Sequence, residues 1–290
     1  MKRAALLLSL WLAHSCTWAA VTLTDDKGRK VTIAQAPKRI VSLLPSLTET
    51  VCALGRCKDL VGVDRYSNFP EVVRKLPQLG GGLDPQIEAI FALKPDLVLA
   101  ASSSPGTERL VALGLTVLQL EPKDQADAVR VIRTLANALF VADPDRVIRQ
   151  MDQEFLQAQS LVPPSARGKK IYFEVGSAPY AAGAASFIGQ TLSQLGLVNI
   201  VGPELGPFPK INPELVVRAQ PDVVIVADSS FNTMMQRPGW GMVRALQDQK
   251  VCTFSPDDGD LLVRAGPRMG QGALLLARCL AGLYPKGQVP

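Results

Sequence analysis

The chain has 290 residues, of which 47% are hydrophobic and 20% charged, with a formal net charge of +5 and a single histidine. That length exceeds what one hydrophobic core usually serves, so two domains are expected. The small positive balance comes without a basic run or interleaved aromatics, and no nucleic-acid partner is expected.

At the N-terminus Lys2 and Arg3 precede an apolar run from Ala4 to Ala13 and then a stretch of small residues. This is the pattern of a secretory signal peptide over residues 1–20, cleaved after Ala19. The run is about half the ~20 residues that a bilayer-crossing helix needs. A lipid anchor would require Cys16 to become the new N-terminus, but His14 and Ser15 before it make a poor lipobox. A periplasmic location by cleavage is therefore expected. Cleavage also removes the lone histidine, which excludes Ser-His-Asp and Cys-His catalysis and imidazole metal ligation. No catalytic residue, metal site or cofactor is expected.

Of the five cysteines, Cys52, Cys57, Cys252 and Cys279 remain, an even number in an oxidising compartment. They allow three pairings, and buried free thiols are the alternative. The local pairs Cys52 with Cys57 and Cys252 with Cys279 are favoured, the second tying a strand to the last helix.

Along the chain, short apolar runs bounded by turn residues predict strands over Ile40 to Leu44, Thr116 to Leu120, Ile171 to Val175 and Val251 to Phe254. After the first of these, Ser46 and Glu49 read as a capping box that opens a helix. Its N-terminal amides would then face a cleft at the end of a parallel strand. An internal repeat appears when Pro95 is set on Pro221, aligning the segment ending at Ala100 with the one ending at Ala227. Each copy reads as helix, turn and buried parallel strand, and Glu88 and Glu214 fall at the same point of the unit.

Between the copies, Asp143 as N-cap and Pro144 at the first position open a helix that Pro163 and Pro164 stop. Val147, Ile148, Met151 and Phe155 form its apolar stripe. At ~1.5 Å per residue it is roughly 28 Å long, enough for a stiff strut that limits the lobes to small movements. The expected fold is α/β: two Rossmann-like lobes with parallel sheets, joined by one long interdomain helix. The boundaries are 21–141 for the N-terminal lobe, 142–164 for the helix and 165–290 for the C-terminal lobe.

Several motifs, in order, resemble one family. They are Arg39-Ile40-Val41-Ser42-Leu43, Pro45-Ser46-Leu47-Thr48-Glu49, Leu60-Val61-Gly62-Val63, Tyr66-Ser67-Asn68-Phe69-Pro70 and Leu93-Lys94-Pro95-Asp96, and the likeness continues to the C-terminus. The chain is similar to the helical-backbone (class III) periplasmic substrate-binding proteins of ABC importers for vitamin B12, haem and ferric siderophores, nearest the vitamin B12 receptors. The resemblance implies a metal-chelate ligand, a permease dimer at the inner membrane as partner, and a monomer without chemistry of its own. It implies ligand contacts from Tyr66, Tyr180, Phe208, Asp260 and Arg264, and permease docking by Glu88 and Glu214.

Those residue types suit the role. Aromatic rings cover the faces of a flat macrocycle, and the fork of an arginine reads planar polar groups at its edge. Two departures stand out, because Gly82 and Ala101 occupy positions where vitamin B12 receptors carry tryptophans. The ligand is therefore left open between a corrinoid, haem, whose iron would need a residue such as Tyr66, and a ferric siderophore. A different class of function, an extracytoplasmic hydrolase, would draw on Asp64, Asp257, Asp258 or Asp260 as acid and base. Among these, Asp257, Asp258 and Asp260 sit among Pro256 and Gly259 and read more simply as a turn.

Overall fold

The computed structural model describes residues 20–176, 179–227 and 231–285, apart from the side chains of residues 232 and 233. The expected signal peptide, with His14 and Cys16, falls almost wholly outside the described residues.

An antiparallel hairpin of β1 (Val21–Thr24) and β2 (Lys30–Ile33) precedes the first α/β unit. That unit runs β3 (Ile40–Ser42), α1 (Pro45–Ala53), β4 (Leu60–Val63), α2 (Ile87–Ala92), β5 (Leu97–Ala100), α3 (Thr107–Ala112) and β6 (Val117–Gln119). Two long helices follow, α4 (Gln125–Ala138) and α5 (Asp145–Leu161). The second unit begins with β7 (Lys170–Gly176), β8 (Tyr180–Ala181), α6 (Phe187–Gln194), β9 (Val198–Asn199), α7 (Pro213–Ala219) and β10 (Val223–Val226). It ends with α8 (Phe231–Met234), α9 (Arg244–Gln247), β11 (Val251–Thr253), α10 (Pro256–Leu262) and α11 (Met269–Leu283).

The first sheet is parallel, in the order β4-β3-β5-β6. In the second, β9, β7, β10 and β11 repeat that order in parallel, and β8 adds an antiparallel pair at the end of β7. The predicted strands are present to within about two residues. The repeat is also real: β5 and β10 are each buried throughout, as continuous apolar runs in doubly covered parallel strands should be.

The correspondence extends to backbone detail. Lys94 and Gln220 both adopt a left-handed conformation, at φ 47° and 44°, just before the paired Pro-Asp steps. Asp96 then accepts the N–H groups of Lys38 at 3.0 Å and Arg39 at 2.9 Å, which lead into β3. Its counterpart Asp222 accepts the N–H of Lys170 at 2.8 Å, at the start of β7.

The strut helix α5 forms as its sequence directs. Asp143 accepts the N–H of Arg146 at 3.2 Å, and Pro144 has helical dihedrals of −70° and −24°. The first turns bury Val147 and Ile148 in the core of the first lobe, and Met151, Phe155 and Ala158 enter the core of the second. The helix is thus embedded in both cores. It does not brace the lobes alone, however. Ala128 of α4 joins the second core while Val131, Ile132 and Leu135 of the same helix join the first. In addition, α11 packs so closely on α5 that a Cβ at Gly270 would lie 2.6 Å from Cβ of Glu154.

Both favoured disulfides are present, Cys52–Cys57 tying the last turn of α1 to the segment that follows it and Cys252–Cys279 joining β11 to α11. No helix among the described residues is long and apolar enough to cross a membrane.

Candidate ligand cleft

In a parallel sheet the loops at the carboxyl ends of the strands are where ligands are held, and both lobes turn that edge toward the same hollow. From the first lobe come Leu44, Pro45 and Ser46 after β3, Tyr66 after β4, and Glu121 and Pro122 after β6. Phe187, Phe208, Asp260, Val263, Arg264 and Ala265 complete a cavity of about 370 Å³. A second hollow of about 350 Å³ adjoins it through Asp260 and Val263, lined by Val175, Ala227 and Phe254 at the ends of β7, β10 and β11. Together they fall within the usual size range of small-molecule sites.

Aromatic faces come from both sides. Tyr66 is 60% exposed. Its N–H donates to Asp64 at 3.0 Å, and its ring edge rests on Gly81, where a Cβ would approach to 3.1 Å. Beneath it, buried Asp64 accepts the Ser67 hydroxyl, and the Thr48 hydroxyl bonds those of Ser42 and Ser67, each at 2.8 Å. Burial pushes the Asp64 carboxyl above its ordinary range despite those donors. Asp64 therefore holds the turn that aims Tyr66. Opposite, Phe208 lies tilted on Phe187, with ring centroids 5.9 Å apart. Tyr180 is 44% exposed on β8, bridged to Lys210 beside Phe208, and does not line the hollow.

Arg264 departs from a free ligand-reading arginine and from a surface ion pair. It is 8% exposed and crosses from the second lobe to the first. Its Nη1 donates to Glu49 at 2.9 Å and to Asn68 at 2.7 Å, and its Nη2 to the Tyr66 carbonyl at 2.9 Å and to Asp260 at 2.8 Å. Asn68 in turn donates to Asp260 at 2.7 Å. Arg268 also reaches Glu49, at 3.3 Å, and lies 3.6 Å above the Phe69 ring.

This network overturns the capping-box reading. Pro45 rather than Ser46 opens α1, with no side-chain cap, and the Glu49 carboxylate goes to the two arginines of the other lobe. Burial raises the Glu49 pKa above 4.5, against the hydrogen bonds and attraction of Arg264 and Arg268. The helix N-terminus itself does open on the hollow, through Leu44, Pro45 and Ser46.

The expected turn at residues 256–260 is instead α10, capped by Ser255 accepting the Asp258 N–H. Gly259 permits it, since a Cβ there would sit 1.9 Å from the Ala227 carbonyl oxygen. Asp257 is drawn to Arg74 at 3.2 Å and Asp258 accepts the Ser255 hydroxyl at 2.8 Å. The candidate carboxylates of a hydrolase are thus dispersed among structural partners. Among the described residues no three His, Cys, Asp or Glu side chains gather as a metal-ligating group.

Glu88 and Glu214 stand exposed in the first turns of α2 and α7, the helices that precede β5 and β10. A helix entering such a strand starts at the sheet's carboxyl edge, so both glutamates belong to the cleft end of their lobes. Glu88 pairs with exposed Arg109 at 3.0 Å. Of the positions lacking a tryptophan, Gly82 has open space around it and Ala101 is buried.

Two similar parallel α/β lobes, stapled by long helices and facing each other across an aromatic-walled cleft, define a two-lobed binding-protein fold. The chain belongs to the periplasmic binding protein family, whose sequence profile matches residues 40–257. It is 28% identical over 277 residues to the uncharacterized ABC transporter substrate-binding lipoprotein YvrC of Bacillus subtilis, covering 91% of this chain and 86% of that one. It is 26% identical over 258 residues to a vitamin B12-binding protein of Pectobacterium carotovorum, covering 86% and 90%. Among solved structures, the periplasmic vitamin B12 binding protein BtuF of Vibrio cholerae matches with a TM-score of 0.70 at 25% identity, over 87% of this chain and 99% of that one. The periplasmic heme-binding protein RhuT of Roseiflexus sp. RS-1 matches at 0.74 and 25%, over 85% and 98%.

Proposed function

We propose that this protein is the extracytoplasmic substrate-binding component of an ABC importer, capturing a corrinoid between its lobes and delivering it to a membrane permease dimer. The observation that carries this reading is the pair of opposed aromatic walls, Tyr66 on one lobe and Phe208 backed by Phe187 on the other. Offset contact with aromatic rings is worth about 0.5–1.5 kcal/mol per ring beyond the area buried. Such walls suit a flat macrocycle better than a compact solute, and the vitamin B12-binding relatives support the choice of corrin. Asp260 and the α1 N-terminus supply polar groups for its edge, and Arg264 holds Asp260 in place.

The lobes of this reading span residues 21–141 and 165–290, with residues 142–164 between them, and the mature protein acts as a periplasmic monomer without a cofactor. Haem is the second reading, supported by the heme-binding structural relative and by the exposed Tyr66 hydroxyl as an axial donor. Calorimetric titration against cobalamin, cobinamide, haem and ferric siderophores tests both. Micromolar or tighter corrinoid binding, weakened about tenfold by Tyr66→Ala, is expected. Corrinoid binding no better than millimolar beside tight haem or siderophore binding transfers the site to that ligand.

Docking falls to Glu88 and Glu214. The Glu88–Arg109 pair is exposed and contributes little to stability, so its carboxylate is available to a partner. The double reversal Glu88→Arg and Glu214→Arg is expected to abolish ligand-stimulated transport in reconstituted vesicles while ligand affinity stays unchanged. Transport at the normal rate would refute the docking role.

A further inference from the structure

One charged group in the cleft wall has no part in the network around Arg264. Glu121 lines the same hollow as Tyr66 and Phe208. Its Oε2 accepts the Ser102 hydroxyl at 2.7 Å and the Ser103 N–H at 2.8 Å, and its Oε1 accepts the Ser103 hydroxyl at 2.6 Å. Its own N–H is fixed by Asp26 at 2.7 Å. Three donors on the loop after β5 therefore hold this carboxylate in one orientation. Partial burial, the largest single influence, raises its pKa, but the Ser103 and Ser102 donors together outweigh it, helped by attraction to Lys123, and the pKa ends lowered. Glu121 is ionised at neutral pH.

The other charges of the wall are committed to one another. Arg264 spends donors on Glu49, Asn68, Asp260 and the Tyr66 carbonyl. Arg65, next to Tyr66, is paired with Asp84. Exposed Lys123 attracts Glu121 without forming an ion pair among the described residues. An entering ligand thus meets a fixed carboxylate with no ion-pair partner among the described residues, while Arg264 and Arg65 are already engaged, as is Arg130 with Asp26. A ligand carboxylate at this wall would face like charge in a partly desolvated site, whereas an N–H donor would gain a charge-assisted hydrogen bond.

We infer that Glu121 is a specificity-determining residue that selects a macrocycle whose edge at this wall is neutral and rich in N–H donors, such as a rim of carboxamides, over the same macrocycle edged with carboxylates. The inference rests on the corrinoid reading and adds to it a rule of edge chemistry and the residue that enforces it.

Calorimetric titration of the protein at pH 7 with dicyanocobinamide, which bears carboxamides, and with cobyrinic acid, which has the same ring with free carboxylates, separates the two ideas. Cobinamide is expected to bind at least tenfold more tightly. Glu121→Gln, which keeps the shape and an acceptor for the serines, is expected to narrow that ratio to less than threefold. Ser103→Ala, which removes the hydroxyl donor to Oε1 while the Ser102 hydroxyl and the backbone N–H at 103 still hold Oε2, is expected to narrow it partway and serves as a second variant. Equal affinities in the unaltered protein, or a ratio that Glu121→Gln leaves unchanged, overturn the role of Glu121 while the corrinoid reading stands. Failure of both corrinoids to bind overturns the corrinoid reading, and the inference with it.

Discussion

In the first lobe Lys94 turns left-handed before Pro95, and Asp96 catches the start of β3; in the second, Gln220, Pro221 and Asp222 do the same for β7. Strand order is likewise the same in the two sheets. The walls those sheets present to the cleft nevertheless differ. The first lobe offers Tyr66, Ser46 and Glu121, the second Phe208, Asp260 and Arg264. The backbone must satisfy its own hydrogen bonds in either lobe, so the frame is constrained alike in both. Loop side chains beyond the strand ends carry no such constraint. A duplicated frame with unlike walls suits a ligand whose two faces differ.

The sharpest asymmetry is the arginine that one lobe sends into the other, and removing it should have the largest effect. Arg264→Met leaves Glu49 buried with only the longer contact to Arg268, and breaking such a pair costs about 3–5 kcal/mol. Because burial raises the Glu49 pKa, the folded protein holds that proton to higher pH than the unfolded chain does. Stability from this group is therefore greatest at acid pH and declines as pH rises from about 4.5 through the folded value. Loss of Arg264 raises the folded value further, so the deficit of the variant should grow with pH between the folded value of the unaltered protein and that of the variant, and level off below both. Urea unfolding at a series of pH values checks this. A deficit independent of pH would mean that lost packing, not the stranded carboxylate, sets the cost.

The disulfides break the comparison at the next level. Cys252–Cys279 closes a separation of 27 residues and Cys52–Cys57 one of 5. In the chain-entropy account these contribute about 3.5 and about 2 kcal/mol. The double variant Cys252→Ser with Cys279→Ser should therefore lower the denaturation free energy by roughly 1–2 kcal/mol more than Cys52→Ser with Cys57→Ser. Burial of Cys252 in the second core adds to the difference. Equal losses in calorimetric unfolding would show that loop closure does not distinguish the lobes.

What the sequence made legible is what local pattern encodes. The strands, the proline-started strut and the Cys52–Cys57 pair follow from neighbours within a few positions, the repeat from two segments that match each other and Cys252–Cys279 from a separation of 27, and each is found in the structure. Tyr66, Phe208, Asp260 and Arg264 were legible through motifs, and they meet at one hollow. Glu49 was not, because its partners Arg264 and Arg268 lie 215 and 219 residues further on, while Ser46 three positions before it imitates a capping box. Glu121 was hidden for a similar reason, its serines being 18 and 19 residues earlier. Pro256 and Gly259 read as a turn, but the glycine serves the close approach of a helix to Ala227. The sequence of α4 carries a local signal too, with Asp124 capping a helix whose Val131, Ile132 and Leu135 face the core.

The smallest expected effect tests the frame itself. Asp96 accepts two backbone N–H groups and Asp222 accepts one, with only a 3.8 Å approach from Lys169 besides. At about 1 kcal/mol for each such bond, Asp96→Ala should cost up to about 2 kcal/mol and Asp222→Ala about 1. Partial exposure of both carboxylates pulls these toward the lower end. The asparagine variants retain one acceptor oxygen, so Asp222→Asn should recover most of its loss and Asp96→Asn about half. Denaturant midpoints of the four variants give that ordering directly. If both alanine variants lose the same amount, the number of bonds at the strand start does not govern the latch. The left-handed turn before it, identical in the two lobes, would then be what holds β3 and β7 in register.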